Sequence, residues 1–300
     1  MINVTQSYLP DLDEYVEYLK GIWDRVYLTN NGPLVRELET RMKEYLGVRN
    51  LLFCSNGTIV LQMAIKALGL TKEIITTPFS YCASSHAILW ENCTPVFADI
   101  DPTDLTIDPV QIERLITENT EAILATHVYG NACNIEAINA LAERYKLKVI
   151  YDGAHAFGAT YNGQALLSYG DISTCSFHAT KVFHTVEGGL IVCDDDELAN
   201  KLSLFRSFGH RFDDYYDVGI NAKNSELHAA MGLCNLPKVP DLIAARKQRF
   251  ARYDDQLDHS KLERPQLRPG IEYNYAYYAV LFQTEEKLLA TKAALEAVQI

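Results

Sequence analysis

Apolar positions recur three and four apart from Leu12 through Tyr15, Tyr18, Leu19, Ile22, Trp23 and Val26, the spacing of one helix face. Asn30-Asn31-Gly32-Pro33 breaks that rhythm. A second periodic run, Leu34, Leu38, Met42, Tyr45 and Leu46, stops at Gly47, where a helix C-terminus accommodates glycine. From Asn50 the pattern changes character. Short apolar runs at 51–54, 74–77, 95–100, 122–127, 148–151, 173–177 and 190–193 predict strands, and helix-period segments over 58–68, 109–116 and 135–145 fall between them. Strand and helix in alternation predict an α/β fold, a mostly parallel sheet with helices on both faces.

Beyond Arg206 the pattern loosens. The aromatic, glycine-containing stretch 207–219 reads as a loop, and the acidic runs 194–197 and 213–217 read as solvated loops. Helical spacing returns at 226–236 and in a long helix carrying Val239, Leu242, Ile243, Phe250, Tyr253 and Leu257. A strand over 277–283 and a helix over 284–298 close the chain. The expected organisation is a large domain at 1–239 and a small one at 240–300. No internal repeat or low-complexity tract interrupts either.

Composition narrows the function classes. With 27 Lys and Arg against 39 Asp and Glu, the net charge is −12, and no basic run could track a phosphate backbone, so nucleic acid is not the expected partner. The N-terminus has no basic, apolar leader, and no apolar run reaches the roughly 18 residues of a membrane span. A cytoplasmic protein that does not enter membranes is expected. Seven scattered cysteines without a C-x-x-C pair read as reduced, mostly buried small residues rather than metal ligands.

Four short segments follow predicted strands and could share the crevice at the carboxyl ends of a parallel sheet. Ser55-Asn56-Gly57-Thr58 precedes an amphipathic helix: Gly57 permits close backbone approach, Thr58 adds a hydroxyl, and the helix N-terminus offers amide hydrogens to a phosphate. An ordinary capped glycine turn reads the same way. Neither a P-loop nor a G-x-G-x-x-G motif occurs, which removes support for ATP, GTP and NAD. Tyr151-Asp152-Gly153-Ala154-His155 delivers a carboxylate to a strand end with an imidazole three residues on; Asp152 could hold a protonated heterocyclic nitrogen, or serve as a metal ligand or helix cap. Ser176-Phe177-His178-Ala179-Thr180-Lys181 sets an amine suited to Schiff-base chemistry beside hydroxyls, although a lone lysine is also an ordinary surface charge. His178 and His184 lack a third ligand at metal spacing. Pro78-Phe79-Ser80-Tyr81 could lay a ring over the crevice or simply pack in the core. Pyridoxal 5'-phosphate (PLP) unites the set, because it needs a lysine, an acid at its ring nitrogen, a phosphate cradle and an aromatic neighbour.

These segments, with Leu28-Thr29-Asn30-Asn31-Gly32-Pro33, His127-Val128-Tyr129-Gly130 and Gly219-Ile220-Asn221-Ala222-Lys223-Asn224-Ser225-Glu226-Leu227, resemble the DegT/DnrJ/EryC1/StrS sugar-nucleotide aminotransferases, which have the aspartate aminotransferase-like fold of type I PLP enzymes. The resemblance implies that Lys181 carries the cofactor, Asp152 pairs with its ring nitrogen and His155 bonds its ring hydroxyl. By the same likeness Gly57, Thr58 and Ser176 hold the phosphate, Tyr81 stacks on the ring, and Asn221 reaches the cofactor of a partner subunit in a homodimer. It implies amino transfer from glutamate to a nucleotide-linked keto-sugar, a dTDP-4-keto-6-deoxyhexose or its 3-keto isomer, in amino-sugar biosynthesis for a surface polysaccharide such as O-antigen lipopolysaccharide or a glycosylated metabolite. A lysine at 181, where some relatives carry histidine and act as dehydratases, favours transamination. Tyr151 and Gly153 depart from the family's common acidic residue and alanine. Relatives continue past the position of Ile300, so the small domain is expected to be incomplete. The cofactor set by itself also suits a lyase or aldolase of the same fold type, or a PLP-binding protein without turnover.

Overall fold

The computed structural model describes residue 2 and residues 4–300. Its centre is a seven-stranded sheet. In chain order the strands are β1 (Asn50–Cys54), β2 (Glu73–Thr76), β3 (Thr94–Phe97), β4 (Thr120–Thr126) and β5 (Lys148–Asp152). A small hairpin, β6 (Thr160–Tyr161) and β7 (Gln164–Ala165), precedes β8 (Ile172–Ser176) and β9 (Gly189–Cys193). The spatial order is β1-β9-β8-β5-β4-β2-β3, and β9 alone runs against its neighbours. The carboxyl ends of the other six strands therefore share one edge. All seven sheet strands expected from the apolar runs are present, with ends shifted by a few residues.

Alternation along the strands sorts side chains into two cores, as the period of two requires. Leu51, Phe53, Ile75, Ile123, Ala125, Val149 and Tyr151 face one side. Helices α1 (Leu12–Arg25), α2 (Pro33–Leu46) and α6 (Ile135–Tyr145) pack there. Leu52, Cys54, Ile74, Ala122, Leu124 and Ile150 face the other, covered by α3 (Gly57–Ala67) and α4 (Cys82–Trp90). Helix α5 (Pro109–Leu115) lies against α6. All seven cysteines are free thiols and six of them are buried.

Helix starts follow local chemistry: Asp11, Asn56, Asn134 and Asp195 each accept backbone N–H bonds at their helix's first turn. The last of these corrects the reading of 194–197 as a loop. Asp195 caps α7 (Asp196–Phe205), and the acidic residues sit where the helix dipole favours negative charge. The segment 207–219 is likewise not a plain loop. It folds as a hairpin of β10 (His210–Arg211) and β11 (Asp214–Tyr215), with Asp214 inside the run expected to be a solvated loop. Helix α2 starts differently, because the N–H groups of Leu34 and Val35 donate to the fully buried carboxylate of Glu226 at 2.9 and 3.0 Å. Glu226 opens α8 (Glu226–Asn235), so one acid joins two helix starts from distant parts of the chain.

After α8 come α9 (Val239–Gln256), β12 (Leu262–Glu263), β13 (Ile271–Glu272), β14 (Leu281–Phe282) and α10 (Glu285–Ala297). The strand expected over 277–283 shrinks to β14. Tyr275 has a left-handed φ of 55°, and Tyr277 and Tyr278 turn to different partners, which ends any ladder there. Strand β13 pairs with β6, and Asn274, 0% exposed, donates to the carbonyls of His155 and Phe157 at 2.7 and 2.9 Å. The segment around 271–277 is thereby fastened beside the sheet edge that ends in Asp152. Among the described residues no helix is long and apolar enough to cross a membrane.

Candidate active site

The shared carboxyl edge of the sheet opens into a cavity of about 720 Å³. Seven of the eight site residues expected from the sequence line it: Gly57, Thr58, Tyr81, Asp152, His155, Ser176 and Lys181. Each arrives from a strand end. Gly57 and Thr58 follow β1, Tyr81 follows β2, Asp152 ends β5 with His155 after it, and Ser176 ends β8 with Lys181 after it. Asn221 is absent from this lining; it is exposed, and its Oδ1 accepts from Lys223 Nζ at 2.9 Å.

The start of α3 is closer-fitting than its sequence suggests. A Cβ on Gly57 would stand 2.8 Å from Ser176 Cβ, so only glycine lets the two walls meet. Asn56 Oδ1 accepts the N–H groups of Thr58 and Ile59 at 3.0 and 2.9 Å. Those two amides are therefore not free for a ligand, contrary to the sequence reading, and Asn56 rather than a serine or threonine is the cap.

Asp152 is 5% exposed and both carboxylate oxygens are bonded. Oδ1 accepts the Ala154 N–H at 3.0 Å and Oδ2 accepts the Ser84 hydroxyl at 2.7 Å. Burial pushes its pKa above the usual carboxylate value, opposed by the Ser84 and Ala154 hydrogen bonds and by the Lys181 charge. Burial likewise holds the Lys181 amine below the ordinary lysine value, opposed by Cys175 and Asp152. Amine and acid thus share one cavity and one electrostatic environment.

His155 Nδ1 accepts the Tyr129 N–H at 3.2 Å, which leaves the ring proton on Nε2. Burial, then the Lys181 charge, depresses its pKa to about 3, so the ring is neutral. Tyr129 can aim its amide this way because its backbone is left-handed, φ 56° and ψ 8°. Its carbonyl accepts from the Tyr273 hydroxyl at 2.7 Å, and the Tyr277 ring lies 4.8 Å from His155, tilted by 56°. Gly153 is obligatory in this packing, since a Cβ there would meet Leu167 Cδ2 at 2.3 Å and the Thr174 carbonyl at 2.9 Å. Tyr151 is buried and stacks on His127 at 4.6 Å.

Tyr81 stands at the N-cap of α4 with 78% of its surface exposed, at the cavity rim. Ser80, Thr126, Glu187 and Tyr277 also line the cavity, and Ser84 lies behind it; none was singled out from the sequence. Ser80 and Ser84, four apart at the entrance to α4, were the only local hint. Thr126 and Tyr277 carry none. His178 and His184 are both engaged, His178 Nδ1 with the neighbouring Thr180 hydroxyl at 2.9 Å and His184 Nε2 with the carbonyl of Tyr8, distant in the chain, at 2.6 Å.

The chain is similar to known proteins over most of its length. Residues 11–299 match the DegT/DnrJ/EryC1/StrS aminotransferase family. A dTDP-4-amino-4,6-dideoxy-D-glucose transaminase of Shigella dysenteriae is 41% identical over 286 residues, which are 95% of this chain and 78% of that one. One of the same description from Escherichia coli is 39% identical over 302 residues, 93% of this chain and 76% of that one. Among solved structures, DesI with its TDP-sugar product superposes with a TM-score of 0.89 at 34% identity, covering 94% of this chain and 72% of that one. PseC of Helicobacter pylori, an aminotransferase involved in the biosynthesis of pseudoaminic acid, gives 0.89 at 30% identity, covering 98% and 82%.

Proposed function

The chain belongs to the DegT/DnrJ/EryC1/StrS aminotransferase family of PLP-dependent, sugar-nucleotide enzymes, and from that premise we propose that it aminates a dTDP-4-keto-6-deoxyhexose, or the 3-keto isomer, with glutamate as donor. The observation that carries this reading is the single cavity lined by Lys181, Asp152, His155 and Ser176. The relatives that are transaminases of a dTDP-4-amino-4,6-dideoxy sugar support the choice of sugar.

The residues suit PLP. Lys181 offers an amine for its aldehyde, and Asp152 a carboxylate for its ring nitrogen. His155 presents Nε2–H to the ring hydroxyl, and Thr58 and Ser176 bring hydroxyls to the phosphate beside Gly57, whose place a Cβ would fill. Tyr81 would cover one ring face. Bound PLP supplies an electron sink that acidifies the donor's Cα–H bond. With that group bound, Lys181 Nζ would take the proton from the donor's Cα as general base and deliver it to the cofactor's aldehyde-derived carbon as general acid, a task helped by the burial that weakens its hold on a proton. Asp152 keeps a positive charge on the ring nitrogen by its own negative one. Neutral His155 donates without competing for that proton.

We assign 1–239 as the PLP-binding domain and 240–300 as the smaller one, with Tyr277 of the latter closing the cavity over His155. Asn221, outside this cavity, would act in a homodimer on the partner's cofactor.

The test is to load the purified chain with PLP, add glutamate alone, and follow conversion to pyridoxamine phosphate and 2-oxoglutarate. Keto-sugar nucleotides are then supplied and products weighed by mass spectrometry. Glutamate turnover followed by an amino-sugar of the expected mass supports the proposal. No half-reaction with glutamate, or amination only of other nucleotide sugars, overturns it.

A further inference from the structure

Behind the Asp152 carboxylate lies a row of hydroxyls. Ser84, 1% exposed and outside the cavity lining, is 2.7 Å from Asp152 Oδ2. Its Oγ is 2.8 Å from Ser80 Oγ, which is 3.0 Å from Thr126 Oγ1. A hydroxyl has one proton to give, and an ionised carboxylate can only accept. With Asp152 charged, the Ser84 proton is committed to Oδ2, so Ser84 accepts from Ser80 and Ser80 from Thr126. The row then points one way, each bond polarising the next. When Asp152 is protonated, its own O–H donates to Ser84. The Ser84 hydrogen then turns to another acceptor, Ser80 Oγ at 2.8 Å or the Tyr81 carbonyl at 3.3 Å. The partner of the Ser84 hydrogen therefore reports the charge on the acid.

We propose that Ser84 is a positioning residue that, at the head of the row from Thr126 through Ser80, keeps Asp152 ionised and its carboxylate turned toward the cavity. The inference rests on the role proposed above for Asp152. The other groups around the acid do not supply that service alone. Among the described residues Lys181 is the one cation facing it, while burial pushes the thiols of Cys133 and Cys175 up and keeps them neutral. His127, whose N–H donates to the Asp152 carbonyl, and His155 are neutral as well. Ala154 holds only Oδ1.

The experiment follows the carboxyl carbon of Asp152 by NMR against pH in the cofactor-free full chain. A hydrogen bond to a charged group lost in Ser84→Ala should move the titration midpoint up by about 1 to 2 pH units. Ser80→Ala should move it the same way by less, and Ser84→Thr, which retains the hydroxyl, should restore it. Loaded with PLP, Ser84→Ala should bind the cofactor about tenfold more weakly, and its visible absorbance should change with pH along the shifted midpoint. An unmoved midpoint in Ser84→Ala overturns the proposal, even where thermal stability falls, because Ser84 would then be structural only. A shift that Ser84→Thr fails to restore overturns it too. The reading of Asp152 is tested apart: Asp152→Asn with parental PLP affinity and absorbance would remove that reading, while the titration in cofactor-free protein still decides the role of Ser84.

Discussion

The two ends of the cavity are built on opposite plans. At the Asp152 end both carboxylate oxygens are bonded, His155 is held by the Tyr129 amide, and the acid is 5% exposed. At the rim Tyr81 is 78% exposed, and Asn221 stands outside the cavity, its side chain bonded to Lys223 two residues away. One end is finished by a single chain. The other presents side chains whose proposed work, covering a ring and reaching a second subunit's phosphate, needs a ligand or a partner to complete. Preorganisation is concentrated where charge must be held in low dielectric, since fixed dipoles there need no rearrangement during reaction. Polar and aromatic groups at the rim can stay solvated until they are used.

Lys181→Ala should sharpen this contrast most. Loss of the amine from the finished end should lower turnover by more than about 10³-fold in a steady-state assay with unchanged thermal unfolding, and parental turnover would remove its assigned role.

Acid should expose the same end next. His127 is fully buried with its pKa depressed from 6.5 to about 3, and His155 is depressed likewise. Between those values the unfolded chain binds the extra protons, so stability is complete above about pH 6.5 and falls as pH drops below it. From pH 7 to 5, His127 alone should remove up to about 2 kcal/mol, read by denaturant unfolding of cofactor-free protein. His127→Gln should flatten that slope.

Changes at the rim should be smaller. Tyr81→Ala removes a stacking surface worth about 0.5–1.5 kcal/mol, so PLP should bind about three- to tenfold more weakly in a fluorescence titration. If the affinity fell by more than the roughly tenfold expected of Ser84→Ala, the rim would be as preorganised as the floor. Asn221→Ala should leave cofactor-free unfolding within about 0.5 kcal/mol of the parent, because the side chain is exposed. Its PLP affinity should fall only under conditions where the protein is dimeric by sedimentation.

Much of this was legible from residue order. The runs that became β1, β5 and β8 announced themselves by apolar character, and each ended at a residue with chemistry, so Gly57, Asp152 and Lys181 could be assigned to one crevice before any coordinates. What escaped were residues whose partners lie far along the chain. Ser84 meets Asp152 across 68 positions, Glu226 meets Leu34 across 192, and Asn274 meets His155 across 119. No local pattern names these partners, since a buried polar group is explained only by what satisfies it. The hairpin at β10 and β11 escaped because its exposed aromatics carry no period, and the shortened β14 because the left-handed backbone of Tyr275 leaves no mark in the apolar run.

Residue order by itself determined the α/β alternation, the strand ends and the kinds of group delivered there, because periodicity and helix-capping chemistry act within a few residues. Only the tertiary structure decided which oxygen of Asp152 meets which hydroxyl, which nitrogen of His155 keeps its proton, and that Asn221 stays out of its own cavity. Those outcomes depend on distance and direction between segments brought together by burial, and such geometry comes into being only when the two cores close around the sheet.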